Sequence, residues 1–108
     1  MYSQVLMVNI QPGKMDEAIA IFKDSVAPAI HGWNGVQMGR LLVDRAGNKI
    51  MAVSFWDSQA DEASLTSSGP YQEQVAKLAA LFAGPPEVEV YEEAVEVKSC
   101  VVRGMREY

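Results

Sequence analysis

The sequence predicts an α+β domain with the element order β-α-β-β-α-β, the split βαβ arrangement, in which two helices cover one face of a four-stranded antiparallel sheet. Three observations predict it. The run from Lys49 to Asp57 is apolar on both of its alternating faces and rich in β-branched and aromatic residues, which indicates a central strand. Two other segments repeat apolar residues at helical spacing. Glycine-containing turns separate these segments from further strand-like runs.

The first third of the chain predicts a strand followed by a helix. Gln4–Ile10 is an apolar run that ends at Gln11–Gly13, where proline fixes φ and glycine relaxes the steric limits of a turn. From Met15 to Ile30, apolar residues recur at helical spacing with acidic residues in the first turn, as in an amphipathic helix on a sheet. Pro28 is predicted to kink or end this helix, and the loop His31–Gly35 turns the chain back.

The middle of the chain predicts a β-hairpin and the start of a second helical region. Val36–Asp44 is the second strand, and the short connection Arg45–Asn48 makes it an antiparallel neighbour of the central strand. Ser58 and Asp61 have the spacing of a helix capping box. A helix is therefore predicted to leave the sheet directly after the central strand.

The second helical region is predicted in two parts. Ser58–Thr66 forms a short helix that is interrupted at Ser67–Pro70, where proline suits the first position of a new helix. Tyr71–Phe82 carries the apolar stripe of the second main helix, and Gly84–Pro86 ends it.

The last strand is predicted over Glu87–Val97. Its apolar positions change parity between Val90 and Ala94, so a bulge or bend is expected within it. The tail Cys100–Tyr108 is expected to add a short edge strand or to pack on another subunit. Cys100 is the single cysteine of the chain, which excludes an internal disulfide, and we expect an inert thiol there.

Length and charge limit the class of protein. At 108 residues the chain is expected to form one domain, 1–108, with a modest core. A net charge of -5 with scattered basic residues disfavours contact with phosphate backbones, so nucleic acid is not expected as a partner. No apolar run approaches the roughly 20 residues that span a membrane, and Met1–Val5 lacks the pattern of a signal peptide. We expect a cytoplasmic protein without membrane association.

The predicted topology leaves one face of the sheet without helices. Because the central strand is apolar on both sides, this face needs a cover, since apolar surface costs roughly 25 cal/mol per Å² to leave in water. A homodimer that packs sheet to sheet is the simplest cover. The alternative, a monomer whose C-terminal tail folds over that face, stays open.

Five sequence features carry a resemblance to a known family. They are the first strand with Gln11-Pro12-Gly13-Lys14, the return Gly32-Trp33-Asn34-Gly35, the segment Val53-Ser54-Phe55-Trp56-Asp57-Ser58, the segment Ser68-Gly69-Pro70-Tyr71-Gln72, and the closing Pro86-Glu87-Val88-Glu89-Val90-Tyr91. On these features the chain resembles the antibiotic biosynthesis monooxygenase (ABM) family over about residues 3–97. The resemblance implies a ferredoxin-like subunit that pairs into a dimeric α+β barrel, with a substrate cavity between sheet and helices.

The resemblance implies a cofactor-independent monooxygenase of aromatic or quinone-like compounds, but the chain departs from the family's pattern at three positions. Haem-degrading members have an asparagine and a histidine where this chain has Leu6 and Val75, and aromatic polyketide oxygenases have an asparagine where it has Ala52. Two alternatives therefore stay open. One is a non-enzymatic small-molecule-binding or structural dimer; the other, less favoured, is a haem-degrading monooxygenase.

Trp56, His31 and Asn9 are the candidate catalytic residues. A cofactor-free oxygenase needs an apolar pocket and a polar group that holds or removes a hydroxyl proton of the substrate. Trp56 matches the family's cavity tryptophan and could stack on a planar ring while donating its indole N–H. His31 is the only imidazole, and Asn9 could hydrogen-bond a substrate oxygen. The alternatives stay open that Trp56 fills the core, that His31 is an exposed helix-end residue, and that Asn9 bonds to a nearby turn.

Tyr71, Arg40, Trp33 and Trp56 are the candidate substrate-binding residues. Tyr71 could offer its hydroxyl at the cavity mouth or begin the core stripe of its helix, and Arg40 could neutralise an anion or pair with a glutamate. Trp33 lies in the glycine-rich return. No metal-ligand constellation and no glycine-rich phosphate loop is visible in the sequence, so we expect no metal and no cofactor.

Overall fold

The computed structural model describes residues 1–98, in which strands and helices alternate in the predicted order. The elements are β1 (Tyr2–Asn9), α1 (Met15–Ile21), a π-helical turn (Phe22–Val26), α2 (Ala27–His31), β2 (Val36–Asp44), β3 (Lys49–Trp56), α3 (Gln59–Thr66), α4 (Gly69–Ala79) and β4 (Glu87–Glu92). The predictions for Cys100 and for the tail Cys100–Tyr108 lie outside the described residues.

Within this part of the chain, four strands form one antiparallel sheet in the order β2-β3-β1-β4. This order and the helices between the strands confirm the predicted ferredoxin-like split βαβ fold. The β2–β3 hairpin closes through Asn48, whose φ of 52° is left-handed and whose carbonyl accepts a hydrogen bond from the Ile10 amide at 2.7 Å. The hairpin therefore also holds the end of β1.

The first helix passes through Pro28 without ending. Pro28 lies in the first turn of α2, and immediately before it the Ala27 N–H bonds to the carbonyl of Phe22, five residues back. Proline has no N–H, and its ring pushes against the carbonyl four residues earlier, here that of Asp24. The turn that precedes Pro28 is the π-helical turn, in which a hydrogen bond spans five residues.

The core lies between the helices and one face of the sheet. Its buried apolar residues are Val8, Ile10, Met15, Ala18, Ile50 and Leu81. They join β1, β3 and α1 to the segment that follows α4, where the Ala83 amide bonds to the Asn9 carbonyl at 2.8 Å. This end of the layer is packed, whereas the end near Gln4 and Trp56 encloses a cavity.

The predicted length of the last strand is wrong. β4 ends at Glu92 rather than Val97, and no bulge lies within it. Its neighbour β1 begins at Tyr2, which pairs with Glu92, and one further bond joins the Glu93 amide to the Met1 carbonyl at 2.8 Å. Beyond this point β1 offers no further backbone partner, so the ladder ends there.

Candidate functional site

An apolar cavity of about 80 Å³ lies between the sheet and the helix layer. Its floor includes Leu6, Leu41 and Ala52, and its roof includes Phe22, Val26 and Val75. An engineered cavity of about 150 Å³ is known to hold benzene, so even a single ring must displace part of this wall. The cavity is suited to small, largely apolar molecules.

One end of the cavity is polar. The Gln4 Nε2 group donates a hydrogen bond to Glu62 Oε1 at 3.0 Å, and the Tyr71 hydroxyl donates to Gln4 Oε1 at 3.4 Å, which is long for an O–H···O bond. Gln4 and Glu62 are nearly inaccessible to solvent, with 7% and 6% of their surfaces exposed. We call these three residues the polar chain.

Local structure holds each member of the polar chain in place. Gln4 occupies a helix-facing position of β1. Glu62 is in the first turn of α3, whose N-cap Ser58 accepts a hydrogen bond from the Asp61 amide at 3.2 Å. Tyr71 is in the first turn of α4, where the N-cap Ser68 accepts from the Tyr71 amide at 3.3 Å. Two capped helix starts thus bring their side chains to one residue of the sheet.

The environment of Tyr71 keeps its phenol protonated. Burial raises the pKa of Tyr71, and the nearby Glu62 carboxylate raises it further. The Tyr71 ring also lies beside Trp33, with ring centroids 6.3 Å apart and planes tilted by 50°, an arrangement favourable for aromatic pairs. Tyr71 is therefore a neutral hydroxyl at neutral pH, framed by an aromatic ring.

The indole N–H of Trp56 is hydrogen-bonded within the protein. The residue is 2% exposed, and its indole Nε1–H donates to Ser54 Oγ at 2.8 Å. The side of the ring that borders the cavity is therefore apolar. In the described part of the chain the indole is the hydrogen-bond partner of Ser54, so the hydroxyl hydrogen of Ser54 is left for a molecule in the cavity.

A second, more open cleft adjoins the cavity. It has a volume of about 200 Å³ and contains His31, and it shares Phe22, Ile30 and Gly39 with the cavity. Phe22 and Ile30 border both spaces, and we expect their side chains to act as a partition between them. A ligand with more than one ring would extend from the cavity into the cleft only if this partition moved.

The structure brings together four of the six predicted site residues. Trp56, Tyr71, Trp33 and Arg40 all border the cavity. Arg40 pairs with Val53 in the sheet, and the alternation of β2 directs its side chain away from the helices, so its main chain borders the cavity.

The other two predicted residues lie outside the cavity. Asn9 is exposed at the end of β1, where its carbonyl accepts from the turn after α4. His31 is an exposed residue at the end of α2 and faces the cleft.

Sequence reasoning did not single out Gln4, Ser54 or Glu62. The signal for the first two was present in the strand patterns. Gln4 is the polar member of the inward series that continues with Leu6 and Val8, and Ser54 is the polar member of the inward series of β3. Glu62 gave no such signal, because a glutamate in the first turn of a helix is ordinarily an exposed partner of the helix dipole.

Two further properties concern residues 1–98 as a whole. No group of three or more histidine, cysteine, aspartate or glutamate residues among them is arranged to hold a metal ion. None of the helices described here has the length and hydropathy needed to cross a bilayer. Leu6 and Val75 both line the cavity.

Sequence comparison finds relatives that are longer than this chain. Two proteins of Mycobacterium tuberculosis strain H37Rv, the uncharacterized proteins Rv2557 and Rv2558, are 33% and 32% identical over 92 and 95 residues. The matches cover 84% and 87% of this chain but 40% and 39% of the relatives. The chain thus spans about two fifths of the curated relatives it matches. No protein-family model matches the sequence.

Structure comparison identifies the fold. SnoaB, a cofactor-independent oxygenase from Streptomyces nogalater, superposes with a TM-score of 0.77 at 15% identity, over 91% of this chain and 97% of that one. A monooxygenase from Streptomyces coelicolor, solved with the ligand nanaomycin D, gives 0.77 at 14% identity over 91% of both chains. An antibiotic biosynthesis monooxygenase gives 0.73 at 14% identity, over 88% of this chain and 100% of that one. At 14% to 15% sequence identity, this structural similarity establishes the fold alone.

Proposed function

We propose, from the fold that this chain shares with the antibiotic biosynthesis monooxygenases, that it binds a small aromatic or quinone-like molecule in the cavity and oxidises it without a cofactor. The observation that carries the proposal is the apolar cavity, which has the buried ring of Trp56 in its wall and polar groups at one end. Sites for small molecules have this composition, mostly apolar with a few placed polar groups.

In such a reaction the substrate itself supplies the electrons. When a phenol is converted to a quinone, one oxygen atom of O₂ enters the ring and the other leaves as water with the two hydrogens that the phenol loses, while the phenol supplies the four electrons that reduce O₂. The roles left to the protein are to bind the ring, to exclude water, and to hold the substrate hydroxyl. The apolar floor and roof suit the first two roles, and the polar chain suits the third.

Oxygen consumption by the purified protein tests this proposal. We expect wild-type protein to accelerate O₂ uptake by members of a panel of single-ring and two-ring phenols and hydroquinones above their autoxidation. Gly39→Val should reduce this acceleration at least tenfold, since Gly39 borders the cavity, an added Cβ there would meet only the Val53 carbonyl at 3.8 Å, and the valine methyl groups would take up cavity space.

The matched control is Gly84→Val, in an exposed loop where an added Cβ meets nothing within 4 Å. It should leave O₂ uptake unchanged. If wild-type O₂ uptake is no faster than autoxidation across the panel, the proposed oxidation is wrong. If both variants lose the same activity, the reaction does not take place in the cavity.

Binding without turnover is a second candidate function. One observation favours it: the described residues that border the cavity include no histidine, aspartate or glutamate that could take a proton from a substrate. Under this proposal, single-ring ligands bind to wild-type protein and not to Gly39→Val, and O₂ uptake stays at the autoxidation rate in both.

We also propose that the chain forms a homodimer through the sheet face that carries no helices, here called the open face. By register and alternation, its apolar residues are Val5, Met7, Met38, Leu42, Met51, Val53, Phe55 and Tyr91. Leu42 and Tyr91 are each 50% exposed and Met38 is 43% exposed. Apolar surface of this extent in the middle of a sheet is typical of an interface.

Charge complementarity supports a second copy as the cover of the open face. Arg40, Val53, Val5 and Glu89 form one row across the sheet, with the opposite charges at its two ends. A two-fold axis parallel to the strands lays this row over its own copy in reverse, so each Arg40 faces Glu89 of the other copy.

Light scattering tests the proposed dimer. It should give twice the mass of the chain at micromolar concentration, and a monomer at that concentration would contradict the dimer.

A further inference from the structure

The polar chain fixes the direction of each of its hydrogen bonds. A carboxylate accepts hydrogen bonds and donates none, so Glu62 requires the amide nitrogen of Gln4, which is 3.0 Å away. The amide group is planar, and its oxygen is therefore turned away from Glu62 and towards the Tyr71 hydroxyl at 3.4 Å. Because Tyr71 gives its only hydroxyl hydrogen to Gln4, its oxygen is left with lone pairs alone. A ligand at this point meets an acceptor.

Ser54 offers the complementary group at the same end of the cavity. Gln4 and Ser54 are direct partners across β1 and β3 and face the same side of the sheet. The Ser54 oxygen accepts from the Trp56 indole at 2.8 Å, so the hydroxyl hydrogen of Ser54 is the part that it can present to a ligand. An acceptor, Tyr71, and a donor, Ser54, are thus placed in one wall of the cavity.

We infer that this end of the cavity is a hydroxyl-binding subsite, in which a ligand O–H donates to the Tyr71 oxygen and accepts from the Ser54 hydroxyl. The inference rests on the proposed function in that the ligand enters this cavity. A carbonyl or ether oxygen has no hydrogen for Tyr71 and would set two acceptors against each other, at the cost of an unmade buried hydrogen bond. The subsite therefore selects a neutral hydroxylated ring over the corresponding quinone or methyl ether.

Matched single-ring probes test the subsite. Phenol, anisole and toluene share one ring, and they differ in carrying a hydroxyl, an acceptor oxygen without hydrogen, or no polar atom. Titrations followed by NMR chemical shifts of the wild-type protein should show phenol binding roughly tenfold more tightly than anisole and toluene, the effect of about one hydrogen bond.

Two variants separate a binding role from a structural one, with the ratio of anisole to phenol dissociation constants as the readout. Tyr71→Phe should bring this ratio close to one, because the acceptor is lost while the ring remains. Glu62→Gln should lower it at least threefold, since an amide at this position can pair with either end of the Gln4 amide and no longer fixes its direction. Glu73→Gln, the same change at an exposed position of α4, should leave the ratio unchanged.

The outcomes separate this inference from the function on which it rests. Equal binding of phenol and anisole to the wild-type protein would overturn the hydroxyl subsite and leave binding in the cavity intact. A failure of all three probes to bind would overturn both. A loss of stability in Tyr71→Phe or Glu62→Gln would weaken all probes together, whereas a change of the ratio is the result that supports the subsite.

Discussion

At the scale of single residues, the site is organised by one polar side chain in an apolar row. Gln4 faces the helices from β1, in the same series as Leu6 and Val8. A buried amide without partners would cost about 1–3 kcal/mol for each unmade hydrogen bond, so the fold must supply partners for it. Glu62 and Tyr71 do so from two different helices. A requirement of folding thereby creates the polar end of the cavity.

The raised pKa of Tyr71 makes the stability of the protein depend on alkaline pH. Because the folded chain holds this proton more tightly than the unfolded chain, its contribution to stability is complete below about pH 10, the ordinary tyrosine value, and is lost as the pH rises through the pKa of the folded state. We expect the free energy of unfolding in urea to fall as the pH rises above about 10. Tyr71→Phe should flatten this fall.

Tyr2→Phe is the control for Tyr71, since Tyr2 is a partly buried tyrosine of β1 that lies on the helix side of the sheet and not on the open face. It should leave the pH dependence as it is in the wild type. An identical alkaline fall in Tyr71→Phe and wild type would show that other groups cause it.

At the scale of elements, the π-helical turn shapes the cavity. The turn precedes Pro28 and carries Phe22 and Val26, which both line the cavity. Helical turns widened in this way often lie at functional sites, and here the widening has a local cause in the missing N–H of Pro28. Phe22 also borders the cleft that contains His31. One side chain of this turn thus limits the size of ligand that the cavity accepts.

Removal of the Phe22 side chain should join the cavity to the cleft. We expect Phe22→Ala to increase the affinity for 1-naphthol relative to phenol at least tenfold, because a second ring then extends past the former partition. Calorimetric titration of both ligands measures this ratio. The variant should also lose about 3 kcal/mol or more of stability if the space stays empty, which chemical denaturation checks.

Leu65→Ala is the control for Phe22→Ala, since Leu65 is a partly buried residue of α3 that does not border the cavity. It should leave the naphthol-to-phenol ratio as in the wild type. An unchanged ratio in Phe22→Ala would mean that Phe22 does not separate the two spaces.

At the scale of the whole molecule, the open face of the sheet is not covered by the described part of the chain. Its helices cover one side of the sheet, while apolar residues such as Leu42 and Phe55 lie on the other. In the proposed dimer, the second copy covers these residues, and Arg40 of one copy faces Glu89 of the other. This role differs from the predicted contact of Arg40 with a substrate, because its side chain is directed away from the cavity.

A charge swap tests the proposed arrangement of the dimer. Arg40→Glu should weaken dimerisation roughly tenfold or more, since a glutamate would then face Glu89 of the other copy. Arg40→Glu combined with Glu89→Arg should restore most of the affinity, as measured by sedimentation equilibrium. Lys23→Glu, an equal charge change at an exposed position of the helix layer, should have little effect.

A double variant that dimerises no better than Arg40→Glu alone would contradict the pairing of these two residues. It would leave the apolar part of the interface in place. The dimer itself is contradicted only by a monomeric wild-type protein.

The sequence by itself determined the order of the elements and the division of the sheet into two faces. Alternation in β3, the capping pair Ser58 and Asp61, and helical spacing from Met15 are local signals, and each is set by neighbouring residues along the chain. The cavity position of Trp56 also followed from the sequence, through the family resemblance. The end of β4 did not, because its ladder ends where β1 begins, and β1 is distant in sequence.

Only the tertiary structure decided what stands at the polar end of the cavity. Gln4, Glu62 and Tyr71 come from β1, α3 and α4, and their hydrogen bonds join residues 58 and 67 positions apart. No local pattern encodes a contact of this kind, because hydrogen-bond direction depends on which groups folding places opposite each other. For the same reason the sequence predicted that the indole N–H of Trp56 donates to a substrate, whereas in the folded chain it donates to Ser54.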